Sequence, residues 1–197
     1  MSTLLQEFER DQRLGQSGVF ANLLRMRDSE VGAHGERQKL MAREVGQRMD
    51  LAESDVRTIE AAAHLQNLGL IAIPDPILRK PGALTIEERL TLQGHARHGF
   101  EALEHTEQFG PIAHIVLHHH ERYDGKGYPD GLDGETIPFA SRVISVLDAY
   151  DAMTSDRPYR STRNPREAAE ELIIGKGTQF DPAIVDAVLE ALHFAVH

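Results

Sequence analysis

The sequence predicts an all-α, single-domain helical bundle of about seven to eight helices, on three observations. Apolar residues recur at three- and four-residue intervals almost throughout, helix-start signals precede most of these runs, and no alternating apolar and polar stretch is long enough to build a sheet. Residues 1–28 read as an N-terminal helical segment carrying Leu4, Leu5, Phe8, Leu14, Val19, Leu23 and Leu24, and residues 29–197 as the domain proper. The apolar positions of the first segment also suit a seam with a second copy, so a homodimer through it is an expectation.

A second helix is expected from about Ser29 to Met49, and a third, capped by Ser54, runs to near Gly69 and delivers Gln66 and Asn67 at its C-terminal end. Pro74, Pro76 and Pro81 make residues 71–82 an ordered loop or extended connector. Thr85-Ile86-Glu87-Glu88 has the form of a capping box and should open a helix carrying His95 and His98. Gly110-Pro111 starts the helix of His114, His118, His119 and His120. Glu121 to Pro138 is too rich in Gly, Pro and Asp to be helical and reads as a functional loop between two apolar helices. Ile137, Ala140, Val143, Ile144 and Leu147 form the buried stripe of the next helix, which presents Asp148 and Asp151 near its end. Asn164-Pro165 and Asp181-Pro182 start two more.

Composition bounds the chemistry. The 197 residues suffice for one domain with a substantial core. No apolar run approaches a membrane span and no signal-peptide pattern opens the chain, so a cytoplasmic protein without membrane association is expected. With no cysteine, any metal must sit on His, Asp or Glu, and eleven histidines are available. A net charge of −10 argues against DNA or RNA as a partner, while leaving a small anion in a pocket feasible. Arg157, Arg160, Arg163 and Arg166 recur at every third position and offer bidentate donors to phosphate.

The strongest signal is His119-His120-Glu121-Arg122-Tyr123-Asp124-Gly125-Lys126-Gly127-Tyr128-Pro129, reinforced by Asp148-Ala149-Tyr150-Asp151-Ala152-Met153-Thr154-Ser155-Asp156-Arg157-Pro158-Tyr159-Arg160. Adjacent imidazoles at a helix end can both turn inward where the backbone leaves helical geometry; His118 and His114 should pack elsewhere or face solvent. Glu30 and His34, four apart, share one helix face. Together these blocks resemble the HD-GYP family, a branch of the HD superfamily of metal-dependent phosphohydrolases that degrade cyclic di-GMP. The resemblance runs from about Glu30 to the final helix and implies an HD-domain-like fold. It implies metal ligation, by iron or manganese, at Glu30, His34, His95, His119, His120 and Asp148, and phosphate or loop contacts from Lys126, Arg157 and Arg160. It further implies a partner-docking loop at Gly127, Tyr128 and Pro129, with diguanylate cyclase-type proteins as the partner class. In such a family two or three ions activate water for attack at phosphorus.

The chain departs from that pattern at one motif. Gln66-Asn67 stands where the family's His-Asp pair is expected, and Leu70 where a phosphate-contacting lysine is expected. An amide supplies neither the charge nor the second anionic oxygen of a bridging carboxylate, so the repulsion between two divalent ions goes poorly offset. His64 lies about 200 degrees around a helix from Gln66 and should face away. The expectation is therefore a degenerate, catalytically impaired site with reduced or single-metal occupancy on His95, His119 and His120, or none, acting as a cyclic di-GMP-binding or protein-docking module. The alternative is an active phosphodiesterase with altered metal ligation.

Overall fold

The computed structural model describes residues 18–106, 109–155 and 164–193. Among them residues 18–27 are helical, and nine bounded α-helices follow: α1 (Ser29–Arg48), α2 (Glu53–Leu65), α3 (Asp75–Leu78), α4 (Ile86–Gln93), α5 (His95–Glu104), α6 (Gly110–Leu117), α7 (Phe139–Thr154), α8 (Pro165–Ile174) and α9 (Pro182–Ala191). Two short 3-10 turns, Leu68–Ala72 and Gly134–Thr136, and one isolated bridge between Lys176 and Phe180 complete the described secondary structure. The all-α expectation holds.

The helices outnumber the expectation for local reasons. The helix opened at Thr85 stops at Gln93, and after Gly94 a separate helix carries His95 and His98. The proline-rich connector contains the single-turn helix α3, with Pro76 in its first turn, where a missing N–H costs nothing. Ser54 is not the cap expected of it: the N-cap is Ala52, two residues earlier, whose extended backbone starts the helix without a side-chain bond. Asn164 and Asp181 do cap α8 and α9, each accepting two backbone N–H groups.

Helix α7 lies at the centre. Ser141, Val143, Ile144, Val146, Leu147, Tyr150 and Asp151 are all buried, a wider arc than a surface helix presents, because α1, α2, α6, α8 and α9 all pack on it. Ala62, Ala63 and Leu65 of α2 and Val185, Val188 and Leu189 of α9 join the same core. Residues 18–27 dock on this body: Leu24 is buried, Phe20 meets Phe109 edge-on at 5.8 Å between centroids, and Arg27 donates to the Ile73 carbonyl at 2.9 Å. The rest of the expected N-terminal segment, residues 1–17, lies outside the described residues. Among those described, no helix is long and apolar enough to cross a membrane.

Helix α4 contrasts with α7, since it buries none of its side chains. Its order rests on the capping box, in which Glu88 N–H donates to Thr85 Oγ1 at 3.2 Å and Thr85 N–H donates to Glu88 Oε2 at 2.8 Å. Thr85→Ala is expected to cost ~1 kcal/mol, the usual worth of such a cap, and to speed amide hydrogen exchange in the first turns of α4. Unchanged exchange there would show that the cap does not hold the helix.

Candidate metal centre

Three imidazoles converge from two helices. Among the described residues one group of three or more His, Asp or Glu ligand atoms comes together, that of His95, His119 and His120, all within 4.8 Å of one another. His95 opens α5. Its depth is set by Gly69 of the first 3-10 turn, where an added Cβ would stand 1.9 Å from the His95 carbonyl oxygen and 2.6 Å from Gly99 N. Only glycine admits so close an approach of two backbones. His119 and His120 follow the end of α6, with His118 at the C-cap, where the backbone leaves helical geometry and both rings turn inward. Their centroids lie 4.0 Å apart, and His95 meets His119 at 5.4 Å and His120 at 5.1 Å.

The ring tautomers follow from the hydrogen bonds. His95 Nδ1 donates to Leu92 O at 2.7 Å and His119 Nδ1 to Val116 O at 2.6 Å. In the neutral rings both Nε2 atoms then carry lone pairs, and these face each other at 3.4 Å. Burial depresses the pKa of all three: His95 falls, His119 falls well below its ordinary value with the charges of His120 and His95 adding to the effect, and His120 drops to about 3. Neutral imidazoles are donors a divalent cation takes, and in two of the three the second nitrogen is tied to a carbonyl, so the trio fits one ion. An ion bound there would supply Lewis acidity toward a phosphoryl oxygen.

A second group abuts the first. His34 lies between two carboxylates, Nε2 at 2.9 Å from Asp148 Oδ1 and Nδ1 at 2.5 Å from Asp151 Oδ2. Burial alone would lower the His34 pKa, but the bonds to Asp148 and Asp151 outweigh it and raise it to about 9. Asp151 also accepts from Arg37 at 2.7 and 3.0 Å and from the Ser155 hydroxyl at 2.9 Å. Burial opposes its ionisation, yet these donors with His34 hold the carboxyl far below the usual range. The Asp148 charge reaches His95, His119 and Tyr128 electrostatically, so the two groups are neighbours.

Gln66 closes this second group. Its side chain is buried, Nε2 donates to Asp148 Oδ1 at 3.3 Å and lies 3.3 Å from His34 Nε2, and Oε1 has no donor among the described residues. Asn67, half-buried at the start of the 3-10 turn, brings no carboxylate. Gln66 and Asn67 therefore add no anionic oxygen to this group, whose carboxylates are those of Asp148 and Asp151. His64 does face away, with Nε2 at 3.1 Å from Glu36.

Other expected site residues are placed as follows. Glu30 is exposed in the first turn of α1, one turn before His34, and does not join the trio; its charge reaches Arg37. Lys126 is exposed and turned toward Asp124, its Nζ at 3.9 Å. Leu70 is buried in the 3-10 turn. Arg157 and Arg160 lie outside the described residues. In the loop, Tyr128 stacks on the His120 ring at 4.9 Å and 27°. Burial, with the Asp148 charge, pushes its phenol pKa up. Gly127 is forced, because a Cβ there would lie 2.4 Å from Arg122 N and 2.5 Å from Glu121 Cα.

Asp148 is among the residues the resemblance assigns to the site, whereas Asp151 and Arg37, which complete the surroundings of His34, are given no role by the sequence. Asp148 and Asp151 are one turn apart, as are His34 and Arg37, so each pair shares a helix face. That spacing was the available signal, and only the fold pairs the two faces.

Fold and centre together define an all-helical domain with a candidate histidine metal site. The HD domain model matches residues 18–184, and the chain belongs to the HD domain family; the HD-GYP resemblance holds. The chain is 43% identical over 173 residues to the cyclic di-GMP phosphodiesterase response regulator RpfG of Xanthomonas campestris, covering 86% of this chain and 45% of that protein. It is 36% identical over 172 residues to the 3'3'-cGAMP-specific phosphodiesterase 2 of Vibrio cholerae, covering 86% and 33%. The chain thus spans less than half the length of these two relatives. A solved HDG"Y"P protein of Bdellovibrio bacteriovorus, Bd1817, shares the fold at a TM-score of 0.68 and 18% identity, over 82% of this chain and 52% of that one.

Proposed function

We propose that this HD domain serves cyclic di-GMP signalling as a nucleotide-binding or protein-docking module whose hydrolytic capacity is impaired. One observation carries the reading: the Gln66 carboxamide is lodged against His34 and Asp148, where the family pattern expects a metal-binding imidazole followed by a bridging carboxylate. The names of the relatives support a cyclic dinucleotide as the ligand class, and the trio His95, His119 and His120 supports retention of one iron or manganese ion. Lys126, exposed in the loop, and Arg157 and Arg160 are the phosphate contacts this reading assigns. The surface around Gly127 and Pro129 is the face assigned to a diguanylate cyclase-type partner.

The test is turnover and metal count on the same sample. Cyclic di-GMP incubated with the chain and Mn2+ or Fe2+ is expected to stay uncleaved by chromatography, with no more than one tightly bound ion per chain. Rapid formation of the linear dinucleotide or GMP would replace this reading with that of an active phosphodiesterase of altered ligation.

A further inference from the structure

His120 differs from its two partners in how it is held. His95 and His119 each anchor a ring nitrogen on a backbone carbonyl, whereas the His120 ring has no hydrogen bond of its own among the described residues. What lies on its face is the Tyr128 ring, near-parallel at 27° with centroids 4.9 Å apart. The loop bearing Tyr128 is in turn fastened to the helices that carry the trio. Two residues after Tyr128, Asp130 accepts from His118 Nε2 at 3.0 Å through Oδ2 and from Arg97 at 3.2 Å through Oδ1. Glu121 Oε1 accepts the backbone N–H groups of Asp130 and Gly131 at 2.8 and 3.1 Å, and Tyr128 N–H donates to His120 O at 3.3 Å. Arg97 is two residues from His95, and His118 and Glu121 bracket His119 and His120. The clamp therefore registers the loop against both arms of the trio.

We infer that Tyr128 is a positioning residue for His120, its ring standing in for the carbonyl bond that fixes the other two imidazoles, and that Asp130 and Glu121 hold it in place. This rests on the reading that the trio binds an ion. It also assigns the loop's tyrosine ring to the inside of the site, leaving Gly127 and Pro129 as its outward face.

The test is Co2+ binding followed by absorption, with wild type, Tyr128→Leu, Tyr128→Phe and Asp130→Ala, each first shown to be folded by metal-free thermal unfolding. Supports of this kind carry roughly 10- to 100-fold of metal affinity. The Leu variant should lose that much, the Phe variant should bind like wild type because the stacked ring remains, and Asp130→Ala should fall between. Wild-type affinity in the folded Leu variant overturns the inference while leaving the metal reading intact, as does a Phe variant as weak as Leu, which would put the role on the hydroxyl. A wild-type chain that takes up no Co2+ overturns the metal reading itself. Histidine ring resonances of the metal-free protein give a second readout: in the Leu variant His120 alone should shift and broaden, while His95 and His119 stay put. Equal changes at all three would overturn the specific link to His120.

Discussion

Gly69→Ala is expected to destabilise the protein by about 3 kcal/mol, at the upper end of what overpacking costs. The added methyl would meet the His95 carbonyl oxygen at 1.9 Å, Gly99 N at 2.6 Å and the His95 carbonyl carbon at 2.8 Å, all of them backbone atoms that no side-chain rotation can clear. Either the 3-10 turn or the start of α5 has to move, and both are buried against the core. For a chain of this size that cost corresponds to a fall in melting temperature of roughly 6 to 12 °C. The same displacement carries His95 away from His119, so uptake of an ion by the trio should weaken alongside stability. Thermal unfolding within a degree of wild type would show that the two backbones can separate without loss.

Restoring the expected motif should have the largest effect on chemistry. In Gln66→His with Asn67→Asp, an imidazole replaces the amide that now donates to Asp148, and a carboxylate appears beside it. The anion offsets the repulsion of a second cation. The metal count is expected to rise to two or more ions per chain, and cleavage of cyclic di-GMP to emerge from background. Leu70→Lys is the less gentle third change, because Leu70 is only 8% exposed and an ammonium there costs folding energy until a phosphate pairs with it. The double variant therefore comes first, and the triple variant should gain affinity for nucleotide at the expense of stability. A double variant that binds no additional ion would show that His34 and Asp148 no longer present a metal site.

The sequence disclosed those features that are settled within one turn of the chain. The box at Thr85 and the caps at Asn164 and Asp181 formed as their residue types require, and His119 and His120 turned inward because a helix ends before them. Glycine at position 94 was not legible as a break, since its φ of −58° and ψ of −16° are close to helical values and the apolar spacing carries on through it. Ser54 looked like a cap, but the preceding backbone turned into α2 first. The roles of Asp151 and Arg37 depend on contacts across 114 to 117 positions, which no local pattern encodes. The stacking of Tyr128 on His120 was likewise not encoded locally, since it depends on how the loop folds back past the close backbone crossing at Gly127.

One consequence follows from the break at Gly94. The carbonyl that orients His95 belongs to Leu92, in the final turn of a helix that buries nothing. Surface elements with so few apolar contacts open at a small fraction of the global unfolding free energy. Each such excursion would free the imidazole to rotate, so an ion held by the trio is expected to exchange at a rate set by the opening of α4 rather than of the interior around α7, measurable as metal release compared with amide exchange in α4.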